Sequence, residues 1–102
     1  MPSVEQLQRL LEKSPEDPFL LYAVAQEHAK NGQFACAVEF YDRSLTAAPD
    51  DGYTYFHKAK ALGAMGRTEE QIKVLQAGLA AATRSGDPKA AGELQAALEE
   101  LE

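Results

Sequence analysis

Residues 18–51, PFLLYAVAQEHAKNGQFACAVEFYDRSLTAAPDD, and residues 52–85, GYTYFHKAKALGAMGRTEEQIKVLQAGLAAATRS, can be laid over one another without a gap. At this offset of 34 residues Ala25 recurs as Ala59, Gly32 as Gly66, Val38 as Ile72 and Leu45 as Leu79. Bulky Leu21 and Tyr41 meet bulky Tyr55 and Leu75, and backwards the offset carries Pro49, Leu45, Tyr41 and Asp51 to Pro15, Leu11, Leu7 and Asp17. Chance gives a few such matches, but not a set that respects side-chain size and helix ends throughout. A fixed period of this length is the mark of a repeat array, in which each unit buries its apolar face only by stacking on its neighbours.

Local signals divide the repeat into helices. Ser3 with Gln6 and Thr68 with Gln71 read as S/T-x-x-Q capping boxes. Asp17-Pro18 and Asp87-Pro88 place an N-cap acceptor before a proline at the first helical position. Asn31-Gly32 and Met65-Gly66 supply glycine where a chain leaves a helix through a left-handed turn. The chain is thus predicted to be all-α, with helices over about residues 3–13, 18–31, 34–47, 52–64, 68–83 and 87–101. Leu21, Val24, Ala25 and His28 share one face of the second helix, and Tyr55, Ala59 and Leu62 share the matching face of the fourth. Val38, Tyr41 and Leu45 are the predicted buried stripe of the third helix, matched by Ile72, Leu75 and Leu79 in the fifth. The last helix offers Ala91, Leu94, Leu98 and Leu101 on one side and Glu93, Glu99 and Glu100 elsewhere, as a terminal cap would.

Composition narrows the function. At 102 residues the chain fits one domain. Its 16 acidic against 10 basic residues give a net charge of −6, which repels phosphate backbones, and no basic run offsets this, so no nucleic-acid partner is expected. A single cysteine, Cys36, excludes an internal disulfide and suits a reducing compartment. No stretch approaches the ~20 apolar residues of a membrane span, and the opening Met1-Pro2-Ser3-Val4 lacks the basic and apolar regions of a secretory signal. The expected location is the cytoplasm, with no membrane partner.

A helix-turn-helix unit of 34 residues resembles the tetratricopeptide repeat, whose pattern runs W-x2-L-G-x2-Y, A-x3-F and P. Residues 18–51 answer it with Leu21, Val24-Ala25, His28, Ala37, Tyr41 and Pro49, and residues 52–85 with Tyr55, Ala59, Leu62 and Leu75. The second unit departs from it at Lys58, where an apolar residue is usual, at Gln71 and Gly78, where alanine is, and at Thr83, where proline is. By this resemblance residues 1–17 are a half-repeat helix, 18–51 and 52–85 full repeats, and 86–102 a capping helix. The resemblance implies a right-handed superhelical solenoid whose concave face, lined by the first helix of each unit, holds a peptide or a partner helix. The projected groove residues are Phe19, Tyr22, Gln26, Ala29 and Lys30 from one unit and Tyr53, Phe56, His57, Lys60 and Ala64 from the next.

The expected role is therefore a non-catalytic adaptor. The rings of Phe19, Tyr22, Tyr53 and Phe56 would grip apolar anchors of a peptide, and Lys30, Lys60 and His57 would meet a carboxylate. In the competing reading these rings pack against the flanking half-repeats. Some members of the family hold a chaperone's C-terminal carboxylate through Lys, Asn and Arg; those slots here carry Tyr22, Gln26, His57, Asp87 and Ala91, so that activity is not carried over. His28 occupies a packing slot, whereas His57 projects as more exposed, with no second ligand at i+3 or i+4, so neither a metal nor another cofactor is expected. Cys36 has no neighbour to activate it, and no nucleophile elbow, phosphate loop or paired-carboxylate cleft is present. The alternative function is self-association, with Val4, Leu7, Leu10 and Leu11 of the first helix as the adhesive edge of a homo-oligomer or longer array.

Overall fold

The computed structural model describes residues 3–101; Met1 and Pro2, which open the 1–17 segment, and Glu102, which ends the 86–102 segment, lie outside the described residues. Six helices follow one another: α1 (Val4–Lys13), α2 (Pro18–Lys30), α3 (Phe34–Ala47), α4 (Gly52–Ala64), α5 (Thr68–Ser85) and α6 (Pro88–Leu101). No strand occurs among the described residues.

The helices start and stop where local chemistry dictates. Ser3 accepts from the Gln6 amide, and the Gln6 side chain accepts from the Ser3 amide, closing the box at α1. Asp17 accepts from the amides of Phe19 and Leu20, Asp51 from that of Tyr53 and Asp87 from that of Ala90. Gly32 and Gly66 take φ of +76° and +75°, the left-handed turn that lets α2 and α4 double back into α3 and α5. The box expected at Thr68 and Gln71 does not form. Arg67 stands at the N-cap position without a side-chain cap, and its guanidinium pairs with Glu70 instead. Gln71 is diverted by a gap in α4: a Cβ on Gly63 would lie 2.6 Å from Gln71 Nε2, so the amide fills the space of the missing methyl.

Among the described residues burial falls in three clusters, as expected when each helix pair rests on its neighbours. Leu7 and Leu11 of α1 meet Leu21 and Val24 of α2. Ala25, Ala37, Tyr41 and Ala61 join α2, α3 and α4, where small side chains let backbones approach closely. Ala59, Leu75, Ala82, Ala90, Leu94 and Leu98 tie α4, α5 and α6 together. The buried stripe of α3 is Ala37, Tyr41 and Ser44, so Val38 and Leu45 are half-buried flanks rather than its centre; the Ser44 hydroxyl donates to the Pro18 carbonyl. In α5, likewise, Ile72 and Leu79 flank a stripe of Leu75, Gly78 and Ala82. Lys58 does not break the apolar face of α4, because its ammonium reaches Asp42 on α3. Among the described residues no helix is long and apolar enough to cross a membrane.

Candidate functional site

Capping by Asp17 and Asp51 fixes the first turns of α2 and α4, which sets Phe19 and Tyr53 at one end of the surface these helices share. From there Tyr22, Gln26, Ala29 and Lys30 run along α2, while Phe56, His57, Lys60 and Ala64 run along α4. The helices meet at Tyr22 and His57, whose rings stand edge to face with centroids 5.7 Å apart. Tyr22 also tilts against Tyr41 at 6.1 Å, and His57 stands edge-on to Phe56 at 5.5 Å. The Tyr41 hydroxyl donates to Gln26 Oε1, so a core residue of α3 orients a polar residue of α2.

Two cavities flank these rings. One of about 380 Å³ is lined by Pro18, Phe19, Tyr22, Ala48, Asp51 and Tyr53. The other, of about 470 Å³, takes in Gln26, Ala29, Lys30, His57, Lys60 and Ala64 with Tyr41 as part of its wall. The projected groove residues are thus brought together in two adjoining hollows, with one exception. Phe56 lines neither; it is half-buried against the cluster of Ala59, Leu75 and Leu94, and the Lys60 ammonium lies 5.9 Å from its ring centroid. Tyr53 packs on the same cluster while also lining the first cavity. Phe19, at 82% exposure, packs on neither flank.

Electrostatics sharpen the roles. Burial, helped by the ammonium of Lys60, pushes the His57 imidazole below its ordinary pKa; Asp51 and Glu93 oppose this more weakly. His57 is therefore half-buried and neutral near pH 7, not the exposed cation its position in sequence suggested, and the positive charge of the groove rests on Lys30 and Lys60. Burial, with the nearby Asp51 carboxylate, raises the Tyr22 pKa. Burial and the neighbouring Tyr22 raise that of Tyr41, so both phenols keep their protons and can donate. Desolvation, with Glu93 and Asp87 nearby, raises that of Tyr53.

The remaining candidates fall outside this surface. His28 is half-buried, stacked on Phe40 at 5.4 Å with Nδ1 2.8 Å from Gln33 Oε1. Cys36 is exposed. Among the described residues no three His, Cys, Asp or Glu side chains gather where a metal could sit. One residue the periodicity did not single out is Glu27, which lines the larger cavity and is buried. Its signal lay in the repeat: the residue 34 positions on is Ala61, a buried alanine.

Comparison with known proteins agrees with this architecture. The sequence profile of the tetratricopeptide repeat matches residues 20–51 and 53–84. The solution structure of a tetratricopeptide repeat domain protein from Salinibacter ruber superposes with a TM-score of 0.80 at 35% identity, covering 86% of this chain and 89% of that one. A crystal structure of a tetratricopeptide repeat domain protein from the same organism gives 0.76 at 34% identity, covering 84% and 96%. No curated protein matches the chain. The fold is a helical-repeat solenoid, and with the profile matching more than half of its length, the chain belongs to the tetratricopeptide repeat family.

Proposed function

We propose that the surface between α2 and α4 holds an extended peptide or a partner helix, and that the protein is a non-catalytic adaptor. Repeats of this family generally mediate protein–protein interaction. In this reading residues 18–51 and 52–85 are the two working units, 1–17 a half-repeat before them and 86–102 a closing cap. The observation that carries it is the pair of adjoining hollows joined at the Tyr22–His57 contact, one apolar and beside exposed Phe19, the other holding Lys30 and Lys60. Apolar anchors of the ligand would enter the first, with Tyr22 and Tyr53 as its walls. A carboxylate would sit in the second, where Gln26 and His57 offer neutral polar contacts beside the two ammonium groups.

Peptides selected from a random displayed library, synthesised and titrated against the protein, test this reading. Tyr22→Ala is expected to weaken them by about tenfold or more, the loss typical of a central aromatic in an interface. Affinities unchanged in both Tyr22→Ala and Lys60→Ala would place binding elsewhere. Self-association is a second reading, supported by Leu10 of α1, which is 51% exposed. Light scattering at two concentrations separates it, since a strict monomer is incompatible with it.

A further inference from the structure

Helix α2 buries a carboxylate for which the fold supplies no use. Glu27 is 8% exposed, and its Oε1 atom is buried with no hydrogen-bond partner among the described residues. The residue 34 positions on, Ala61, is 2% exposed and packs with Ala25, Ala37 and Tyr41. The same place in the repeat is thus filled once by a methyl group, as close helix packing favours, and once by an acid. Removing a carboxylate from water is costly unless donors replace the water, and a bare oxygen forgoes that compensation. On packing grounds alone, alanine is the better residue at both places.

The surroundings of Glu27 indicate what would use it. It lines the cavity that also takes in Gln26, Lys30, Tyr41, His57 and Lys60. Lys30 and Lys60 belong to none of the ion pairs among the described residues, which are Lys58–Asp42, Arg67–Glu70 and Arg84–Asp50. One hollow is therefore lined by two lysines outside these ion pairs and by a glutamate whose buried Oε1 has no partner among the described residues. A charge-assisted donor satisfies such an oxygen best, and guanidinium, planar and weakly hydrated, loses least on entering a partly buried site. The geometry points to Glu27 as the recognition point for an arginine side chain of the groove occupant. The occupant then carries a basic and an acidic group together, the guanidinium on Glu27 and the carboxylate on Lys30 and Lys60. The inference rests on the groove reading above and deepens it, since a ligand bearing only a carboxylate would leave Oε1 bare.

The probe is N-acetyl-arginine amide, titrated at constant ionic strength into carbon-13-labelled protein, with N-acetyl-citrulline amide as the uncharged isostere. The side-chain carboxyl resonance of Glu27 is expected to shift saturably with the arginine derivative, with an affinity for citrulline about tenfold lower. In Glu27→Gln the arginine and citrulline derivatives should bind alike. Thermal unfolding supplies a second readout: Glu27→Ala should raise Tm by several degrees, because it removes an unpaired buried acid. Equal responses to arginine and citrulline would overturn the inference. So would a lower Tm in Glu27→Ala, which would mean that an internal partner holds the carboxylate. Should library peptides bind at Tyr22 yet ignore Glu27→Gln, this inference fails and the groove reading stands. Should the Glu27 resonance respond to arginine while no peptide binds, the guanidinium site stands and the groove reading fails.

Discussion

A Cβ on Gly78 would stand 2.5 Å from the Cβ of Tyr55, so α4 and α5 cross where only a glycine fits. Thirty-four residues earlier the corresponding pair is Leu21 and Ser44, where a Cβ is tolerated and a hydroxyl is added. The second unit thus combines a larger ring on α4 with a smaller residue on α5, and the Tyr55 hydroxyl extends past the crossing to donate to the Pro49 carbonyl. Gly78→Ala should force the helices apart and cost about 1–3 kcal/mol, the usual penalty of overpacking. Chemical denaturation measures it; an unchanged or raised midpoint would show that the crossing yields freely.

Gly63 and Gln71 form a second compensating pair, standing where the first unit has Ala29 and Ala37. The atoms that a Cβ on Gly63 would meet are the terminal amide of Gln71, which can swing away. Gly63→Ala alone should therefore change stability little. Together with Gln71→Ala it restores the arrangement of the first unit and should gain about 1 kcal/mol from helix propensity. A double-mutant cycle reads the coupling, and strict additivity would contradict the pairing.

His57 makes stability depend on pH. Its pKa in the folded protein lies below the ordinary 6.5, so the unfolded chain takes up a proton first as the solution is acidified. The stability this gives is complete above the unfolded pKa and declines as pH falls toward the folded one. Thermal melts between about pH 7.5 and pH 5 should show a steeper loss for the parent than for His57→Gln, the carboxylates common to both cancelling in the difference. Parallel curves would mean that the imidazole titrates freely in the fold.

Phe19 separates binding from folding. At 82% exposure its ring supports little of the core, so Phe19→Ala should leave stability within about 0.5 kcal/mol. The same change should weaken library-selected peptides severalfold, because the ring borders the apolar hollow. A large fall in Tm, or undiminished affinity, would remove Phe19 from the groove.

The helices were legible because their limits are written locally. Ser3 and Gln6, Asp17 before Pro18, and the glycines at 32 and 66 each act within a few residues of themselves. The stripes along α2 and α4 were legible, since Tyr22 and His57 occupy projected positions on them and the fold brings their rings together. What periodicity could not reveal are relations between helices. Nothing adjacent to Gln71 announces that its side chain lies against Gly63, or that Arg67 rather than Thr68 takes the N-cap position of α5, which leaves the expected capping box unformed. His57 looked exposed because its helix alone is amphipathic there; Tyr22, contributed by α2, covers it. Glu27 carries no mark within its own helix, and only its pairing with buried Ala61 across the repeat exposes the oddity.

The most direct test of the groove is amide chemical-shift mapping of the labelled protein with a library-selected peptide. The shifts are predicted to concentrate on Tyr22, Gln26, Lys30, His57 and Lys60, along the facing sides of α2 and α4. Shifts confined to α1, or to the outer faces of α3 and α5, would contradict the account.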